Sequence, residues 1–492
     1  MLRHFAAPLI VVAMSTLILP CQAAELLSAG TGIEVRLSVS TGSRTSYADD
    51  PIQGVVIAPV FSEGKLLIPP GTLISGRIEK VQRLGLGLKH LTAILEYRFD
   101  SLHWPNGQTS PISAQLVKVE TAKEQVNAGG VIRGIYPTAS LSSSVAFYAL
   151  PIICMDPELA APILGIKFVI ARSPDPEIYL PAGTEVILKL TAPAHIPSSG
   201  APSNYLAPLS AEEVDNAHQI LAKLPQQRTN RGRNHPSDLV NILFLGDQAS
   251  IDRAFHAAGW SGAHRRSLLS IYRMYHCMVQ RNGYRMAPMG KLTLNGLSAD
   301  AEYQKSLNTF SKRHHLRLWR QGQEDAWLSA ATEDISYKFR RMHLTHATDP
   351  LIDNERNKVL NDLAFTGCLD AGIMMTRNLL DNVEPPERSI ATDGKIAVVR
   401  LNNCQNPQTM PVESATSGPR ARGRPVQILV ALRNDIIRSN PISLAFNTVE
   451  QIRQNQGSKV RREKSLLHAN RAETQLSRSD APQRWTRPSI LD

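Results

Sequence analysis

The chain lacks most of the short patterns that mark a known reaction. There is no G-x-S-x-G, no H-E-x-x-H and no defensible Cys–His pairing, so an elbow-serine hydrolase, a zincin and a thiol enzyme find no support. No G-x-G-x-x-G follows the apolar run Asp238 to Asp247, which weakens a dinucleotide-binding reading. Leu84-Gly85-Leu86-Gly87-Leu88 has neither the following Lys-Ser/Thr nor a helix start of a phosphate loop, and reads as a structural bend. Gly129-Gly130 to Gly134 reads as a connector.

Cysteine is scarce. Of five, Cys21 lies in the leader, and Cys154, Cys277, Cys368 and Cys404 show no C-x-x-C spacing, which removes zinc knuckles and thioredoxin chemistry. Four cysteines allow three pairings. Cys368 with Cys404 is the favoured one, because both fall late in one predicted domain. Long apolar runs are missing as well. The richest stretch after the leader, Val145 to Ala171, is broken by Pro151, Asp156, Pro157, Glu158 and Pro162, so no transmembrane segment is expected after signal cleavage.

What is present begins with an export signal over residues 1–24: Arg3, an apolar run from Ala6 to Pro20, and a small-residue exit at Cys21-Gln22-Ala23-Ala24. Pro20 argues against a lipoprotein at Cys21. The expected location is the periplasm or the medium. The chain has 492 residues, 42% of them apolar, enough for two or three packed domains. Net charge is +11, with an Arg/Lys-rich end from Gln451 to Asp492. On an exported protein such a tail meets an anionic envelope component or a protein partner, or is simply solvated; nucleic acid is not expected.

Residues 25–193 read as strands. A turn recurs three times: Gly30-Thr31, Pro69-Pro70-Gly71-Thr72 and Pro181-Ala182-Gly183-Thr184, each feeding a β-branched run. This predicts an all-β sandwich or barrel-like module. Residues 194–236 read as a linker with a short helix, Ser210 to Leu224, carrying the capping-box spacing Ser210/Glu213. Residues 237–402 mix strands (Asp238 to Leu245, His314 to Trp319, Ala326 to Ala331, Ile335 to Thr345, Lys395 to Leu401) with helices (Gln248 to Gly259, Ser267 to Val279), an α/β or α+β domain. The fold class is thus α+β multidomain. Residues 403–492 read as a basic, largely disordered tail with one apolar island, Val426 to Phe446.

Candidate chemistry concentrates in Thr345 to Arg356. Asp349-Pro350 predicts a helix start, with the helix running to about Ala364. At 100° per residue Ile352, Val359, Leu360 and Leu363 form one stripe, Arg356 falls inside it, Asp353 at its edge, and Glu355 and Lys358 outside. An inward arginine needs partners, and Asp349 and Asp353 are the expected ones. Three readings stand open. One is a structural cap with a buried ion network. A second is a divalent-metal or phosphate site, with His315, His346, Asp349 and Asp353 as metal ligands and Arg317 and Arg356 as anion holders. The third is metal-free acid–base catalysis by His346, with Asp349 and Asp353 as orienting groups.

Asp238 to Gly246, Ala254 to Trp260, His315 to Trp319, Thr345-His346 through Asp349-Pro350 to Arg356, and Thr392 to Lys395 together resemble the LssY C-terminal domain family, over roughly Pro225 to Leu401. The resemblance assigns no reaction. It implies an envelope context, because such domains accompany DedA-like or lipid-phosphatase-like membrane segments elsewhere. Ala347 stands where a second histidine often follows His346, which weakens a metal there. Two functions are expected on this basis: hydrolysis of a phosphoester or other anionic envelope substrate, or a non-catalytic envelope scaffold or secretion-accessory role.

Overall fold

The structure is a computed structural model. It describes residues 24–85, 89–104, 106–121, 123–136, 157–197, 206–223, 228–231, 235–308, 312–322, 325–340, 343–376, 391–404, 424–438 and 487–491, plus isolated helical positions between 145 and 155 and between 445 and 452. The leader, Gly87, and the loop 377–390 lie outside the described residues.

The recurring turn builds the first module. Gly71 and Gly183 take φ +92° and +89°, a region that costs other residues a Cβ clash. In each copy the threonine hydroxyl donates back to the residue three before it: Thr31 to the Ser28 carbonyl at 2.8 Å, Thr72 to Pro69 at 2.8 Å, Thr184 to Pro181 at 2.7 Å. Each turn launches a strand. Those of the main sheet are β1 (Gly32–Leu37), β2 (Pro51–Val56), β3 (Leu73–Gln82), β4 (Ile94–His103), β5 (Thr109–Val119), β6 (Gln125–Val126), β7 (Val131–Arg133) and β8 (Glu185–Leu190). Their order is β6-β7-β4-β3-β2-β1-β8-β5, and β5 also pairs with the far end of β4. Six strands therefore close on themselves into an antiparallel barrel. Inward residues such as Ile33, Val35, Ile74, Leu95, Phe99, Leu116, Val186 and Leu188 fill it. Alternation sends Glu34, Arg36, Lys118 and Glu185 to the outside.

The second module is layered. β9 (Ile242–Leu245), β10 (Ser261–Gly262), β11 (Ala301–Asn308), β12 (Lys312–Arg320), β13 (Ala326–Arg340), β14 (His343–Thr348), β15 (Leu369–Thr376) and β16 (Lys395–Leu401) form one sheet in the order β10-β11-β12-β13-β9-β16-β15, with β14 on the outer half of β13. Only β9 and β16 run parallel on that path. The helices are α1 (Ala160–Ile170), α2 (Ala211–Ala222), α3 (Gln248–Ala257), α4 (Leu268–Gln280), α5 (Ile352–Phe365) and α6 (Arg424–Arg438). One sheet face packs Phe244, Leu316, Leu318 and Val399 against Phe255 of α3 and Val359, Leu360 and Leu363 of α5. The other packs Leu243, Leu328 and Ala330 against Ala217, Ile220 and Leu221 of α2. Ser210 caps α2 in the expected capping box.

Three expectations change. The strands foreseen at Ala326 and at Ile335 are a single strand of 15 residues, because no turn residue separates them. Part of the foreseen linker is structured: Ala194–Pro197 pairs with Ala24–Leu27, and Arg228–Arg231 with His235–Leu239. The tail is not free throughout, since Arg487–Leu491 docks on α5 and Ile490 lies in the core. Cys368 and Cys404 are bonded to each other, as the pairing by position suggested.

A separate apolar flank is built by α1, α4 and α6. Lys167 of α1 is buried and donates to Asp435 of α6 at 2.9 Å, and Tyr275 of α4 donates to the Ile170 carbonyl at 3.0 Å. Ile166, Val169, Leu268, Leu269, Ile428 and Leu429 stand exposed there.

Candidate functional site

Alternation along β12 sorts its polar residues onto two faces, and the two faces make two different clusters. Arg313, His315 and Arg317 look one way. Asp334 of β13 lies against them: Arg313 donates to its Oδ2 at 3.1 and 3.3 Å, and the Nδ1 atoms of His315 and of His346 on β14 each stand 3.7 Å from that oxygen. Burial pushes His315 down to about 4; Asp334 pulls the other way, but Arg313 and Arg317 add to the lowering, so the ring is neutral at pH 7. Its buried Nδ1 has no hydrogen-bond partner among the described residues. Asp334 is held below the usual carboxylate range; burial opposes this, but His315, Arg313 and His346 outweigh it. Arg317 donates to the Gly290 carbonyl at 2.7 Å and to Glu302 at 3.3 Å, with Asp238 at 3.8 Å. His346 is partly exposed, at the rim.

His314 looks the other way, into the seam between sheet, α5 and barrel. Its Nδ1 donates to Glu355 at 2.7 Å and its Nε2 to Glu120 of the barrel edge at 3.4 Å. Burial works against the charge, but Glu355, Glu120 and Glu333 hold its pKa up at about 10, so His314 is an imidazolium. Lys118 of β5 joins Glu120 at 2.9 Å and Glu333 at 2.7 Å. Glu185 of β8 gathers Arg36 at 2.8 Å, Lys358 at 2.6 Å and Lys305 at 3.3 Å. Asp362 of α5 takes Lys358, Lys305 at 2.7 Å and the Trp260 indole N–H at 3.0 Å. Both Glu185 and Asp362 are held low; burial opposes this, and the lysines Lys305 and Lys358 prevail.

The predicted residues of α5 separate. Arg356 is buried, and all three nitrogens of its guanidinium donate to protein acceptors. It donates to both oxygens of Asp393 at 2.9 and 2.8 Å, to Asp353 at 3.3 Å, to the Lys395 carbonyl at 3.1 Å and to Asn357 at 3.0 Å. Asp353 also accepts from Thr392 at 3.1 Å and from the Asp393 amide at 2.6 Å. Burial raises its pKa against the pull of Arg356. Asp349 is not a partner of Arg356: its Oδ1 accepts the Leu351 amide at 3.0 Å, and α5 begins only at Ile352. The correction has a physical cause. The chain bends at Pro350 and Leu351 bridges to Ala391, which delays the helix to Ile352. Asp393, not Asp349, supplies the second carboxylate.

The metal set His315, His346, Asp349 and Asp353 does not converge. Among the described residues, the one trio of His, Cys or carboxylate ligand atoms drawn within 4.8 Å is Glu120, His314 and Glu333. That trio fits an ammonium better than a metal ion. Lys118 bonds two of its members, and both nitrogens of the protonated His314 already donate. As anion holders, Arg356 donates to protein acceptors from all three nitrogens, and Arg317 does so through Nε and Nη2, while its buried Nη1 makes no hydrogen bond among the described residues. Glu355, expected outside the stripe, is 1% exposed and takes the His314 proton donor. His314, Asp334, Lys358, Asp362 and the barrel glutamates are the site residues that sequence reasoning missed. The period-2 pattern places His314 opposite His315, and the Lys358/Asp362 spacing is i, i+4; neither signal says what lies across the seam.

An antiparallel barrel joined by a charged, water-poor seam to a three-layer α/β domain defines a two-module protein. Residues 221–396 match the family model described as LssY C-terminus, so the second module is an LssY C-terminal domain over that span. No curated protein matches the sequence. Among solved structures, the chain is similar to ComB10 of the Com type IV secretion system of Helicobacter pylori, at 14% identity over 35% of this chain and 90% of that one, with a TM-score of 0.20. A likeness of that size carries no argument.

Proposed function

We propose that this protein is a non-catalytic scaffold of the cell envelope, exported to the periplasm or beyond, in which the His/Asp/Arg cluster of the LssY domain is a structural lock. The observation that carries this reading is the closure of Arg356: every nitrogen of its guanidinium is spent on Asp353, Asp393, Asn357 and the Lys395 carbonyl. A guanidinium so placed is buried, faces two carboxylates and donates from all three nitrogens to protein acceptors, which favours a structural role over holding a substrate phosphate. A scaffold needs a surface for a partner. The flank of α1, α4 and α6 favours a protein partner, since Ile166, Val169, Leu268, Leu269, Ile428 and Leu429 stand exposed there beside Arg273 and Arg433.

A second reading rests on His315 and His346 sharing Asp334. A neutral imidazole whose buried Nδ1 has no hydrogen-bond partner among the described residues, beside a carboxylate, is the composition of an acid–base pair. Phosphoester hydrolysis would then rest on Asp334, His315 and His346 rather than on Asp349 and Asp353. One experiment separates the two. The purified chain is assayed against a panel of phosphomonoesters, phosphodiesters and phospholipids, with bound divalent metal measured in parallel, for the natural sequence, His346→Ala and Arg356→Ala. The scaffold reading expects background turnover in all three and a loss on the order of 1–3 kcal/mol of stability in Arg356→Ala, from the lost charge-assisted hydrogen bonds to the partly exposed Asp353 and Asp393. Turnover abolished by His346→Ala at unchanged melting temperature would sink it in favour of the hydrolase.

A further inference from the structure

The segment Arg487-Pro488-Ser489-Ile490-Leu491 lies along α5 as a bound peptide lies in a groove. Asn354, Asn357 and Asn361 are spaced i, i+3 and i+7, so they line one side of the helix. They read the segment's backbone in turn. The Asn354 side-chain carbonyl accepts the Arg487 amide at 2.8 Å, the Asn357 amide donates to the Arg487 carbonyl at 2.7 Å, and the Asn361 amide donates to the Pro488 carbonyl at 3.0 Å. Side chains then fill two pockets of opposite character. The Arg487 guanidinium is buried, bonds Glu34 of the barrel, donates to the Asn354 carbonyl at 3.1 Å and stands 4.0 Å from Glu120. Ile490 is 2% exposed within the main core of the second module. Beside it Gly372 leaves the room that Leu491 uses: a Cβ there would meet the Leu491 side chain at 2.9 Å.

Backbone hydrogen bonds for affinity, a charged pocket and an apolar notch for selectivity are the parts of a peptide-recognition site. Buried side-chain amides are costly without partners, and here the segment supplies a backbone partner to each of the three asparagines. We propose that α5 and the barrel rim form a recognition groove for an extended Arg-Pro-x-Ile-Leu peptide, and that the chain's own residues 487–491 are its resident ligand. This goes beyond the scaffold reading, because it assigns a binding site and a ligand chemistry that hold whether or not the domain is catalytic.

The test uses the full chain carrying Ile490→Asp, which empties the notch by placing a charge in it, and a fluorescent synthetic peptide spanning residues 483–492. The groove reading expects saturable 1:1 binding to the Ile490→Asp chain and at least tenfold weaker binding to the natural chain, whose groove is filled. The same peptide with its own Arg487→Ala or Ile490→Asp change binds at least tenfold more weakly. Adding Asn357→Ala and Asn361→Ala to the receptor weakens binding likewise. Should the Ile490→Asp chain be unfolded alone, recovery of its circular-dichroism spectrum on adding the natural-sequence peptide, and not the altered ones, supports the proposal. A folded receptor that does not bind, equal binding by altered peptides, equal binding by the natural chain, or an unfolded receptor that no peptide rescues overturns it.

Discussion

His314 and His315 are neighbours in sequence and opposites in chemistry. Facing the seam, His314 meets three carboxylates and keeps its proton up to about pH 10. Facing away, His315 is desolvated by burial and meets two guanidinium groups, which together outweigh Asp334, so it refuses a proton until about pH 4. Their contributions to stability therefore tilt in different windows. An unfolded histidine releases its proton near 6.5, so between 6.5 and 10 the folded chain holds the extra proton through His314. The stabilisation from this group is complete below 6.5 and drains as pH rises through 10. For His315 the unfolded chain gains the proton first, so its cost to the fold grows as pH falls from 6.5 to 4. Urea unfolding at pH 5, 7 and 9 checks both. His314→Gln should be less stable at pH 7 and lose less on going to pH 9 than the natural chain. His315→Asn should lose less on going to pH 5, against a background of acid loss from Glu120, Glu185 and Asp362 that both chains share. An acid slope identical in His315→Asn and the natural chain would refute the neutral assignment. Period-2 alternation was enough to place His315, Arg317 and Trp319 on one side of a strand. The same alternation places His314 on the other, but its glutamates come from residues 120 and 355, and no local spacing connects those positions.

At the scale of the element, α5 is the case where a helical wheel succeeds and then misleads. The stripe Ile352, Val359, Leu360, Leu363 is buried as the 3.6-residue period requires. Yet Glu355, Lys358 and Asp362 on other sides are buried as well, at 1% exposure each. Amphipathic logic assumes water on the polar side. Here the polar side meets Glu185 of the barrel, Lys305 of β11, His314 of β12 and the docked segment 487–491, so its charges are neutralised rather than hydrated. The helix start was misread for a similar reason: Asp349-Pro350 is good N-terminal chemistry, overridden by the bridge between Leu351 and Ala391. A buried lysine between two acids gives a sharp expectation. Lys358→Met keeps the stem and removes the charge, which leaves Glu185 and Asp362 facing each other with less compensation. Loss on the order of 3–5 kcal/mol is expected by chemical denaturation. Lys358→Met combined with Glu185→Gln should recover part of it, because one of the two acids is then neutral. A double variant no more stable than the single one would show that relief of repulsion between Glu185 and Asp362 is not what Lys358 supplies.

At the scale of the whole molecule, the two modules were legible separately and their union was not. Turn chemistry repeated at Gly30, Gly71 and Gly183 was sufficient to announce the barrel, and strand–helix alternation the second domain. The seam is written in single charges on Glu34, Arg36, Lys118, Glu120 and Glu185, which look like ordinary outward residues of alternating strands until something covers them. Once covered, they pair across the boundary: Glu185 with Lys305 and Lys358, Lys118 with Glu333, His314 with Glu120, Arg487 with Glu34. Removing either module would strand those charges in a surface shaped to exclude water, so neither module should unfold alone. Differential scanning calorimetry of the intact chain is expected to show one main transition containing both modules. Because the pairs are buried, they are weakly screened, and 1 M salt should leave that transition single. Glu185→Gln with Glu120→Gln breaks the two largest hubs on the barrel side while leaving both hydrophobic cores untouched. That double variant should unfold in two steps, with the barrel and the LssY domain resolved. Two transitions already present in the natural chain, or a single one that survives the double substitution, would mean that apolar contact rather than the ion network joins the modules.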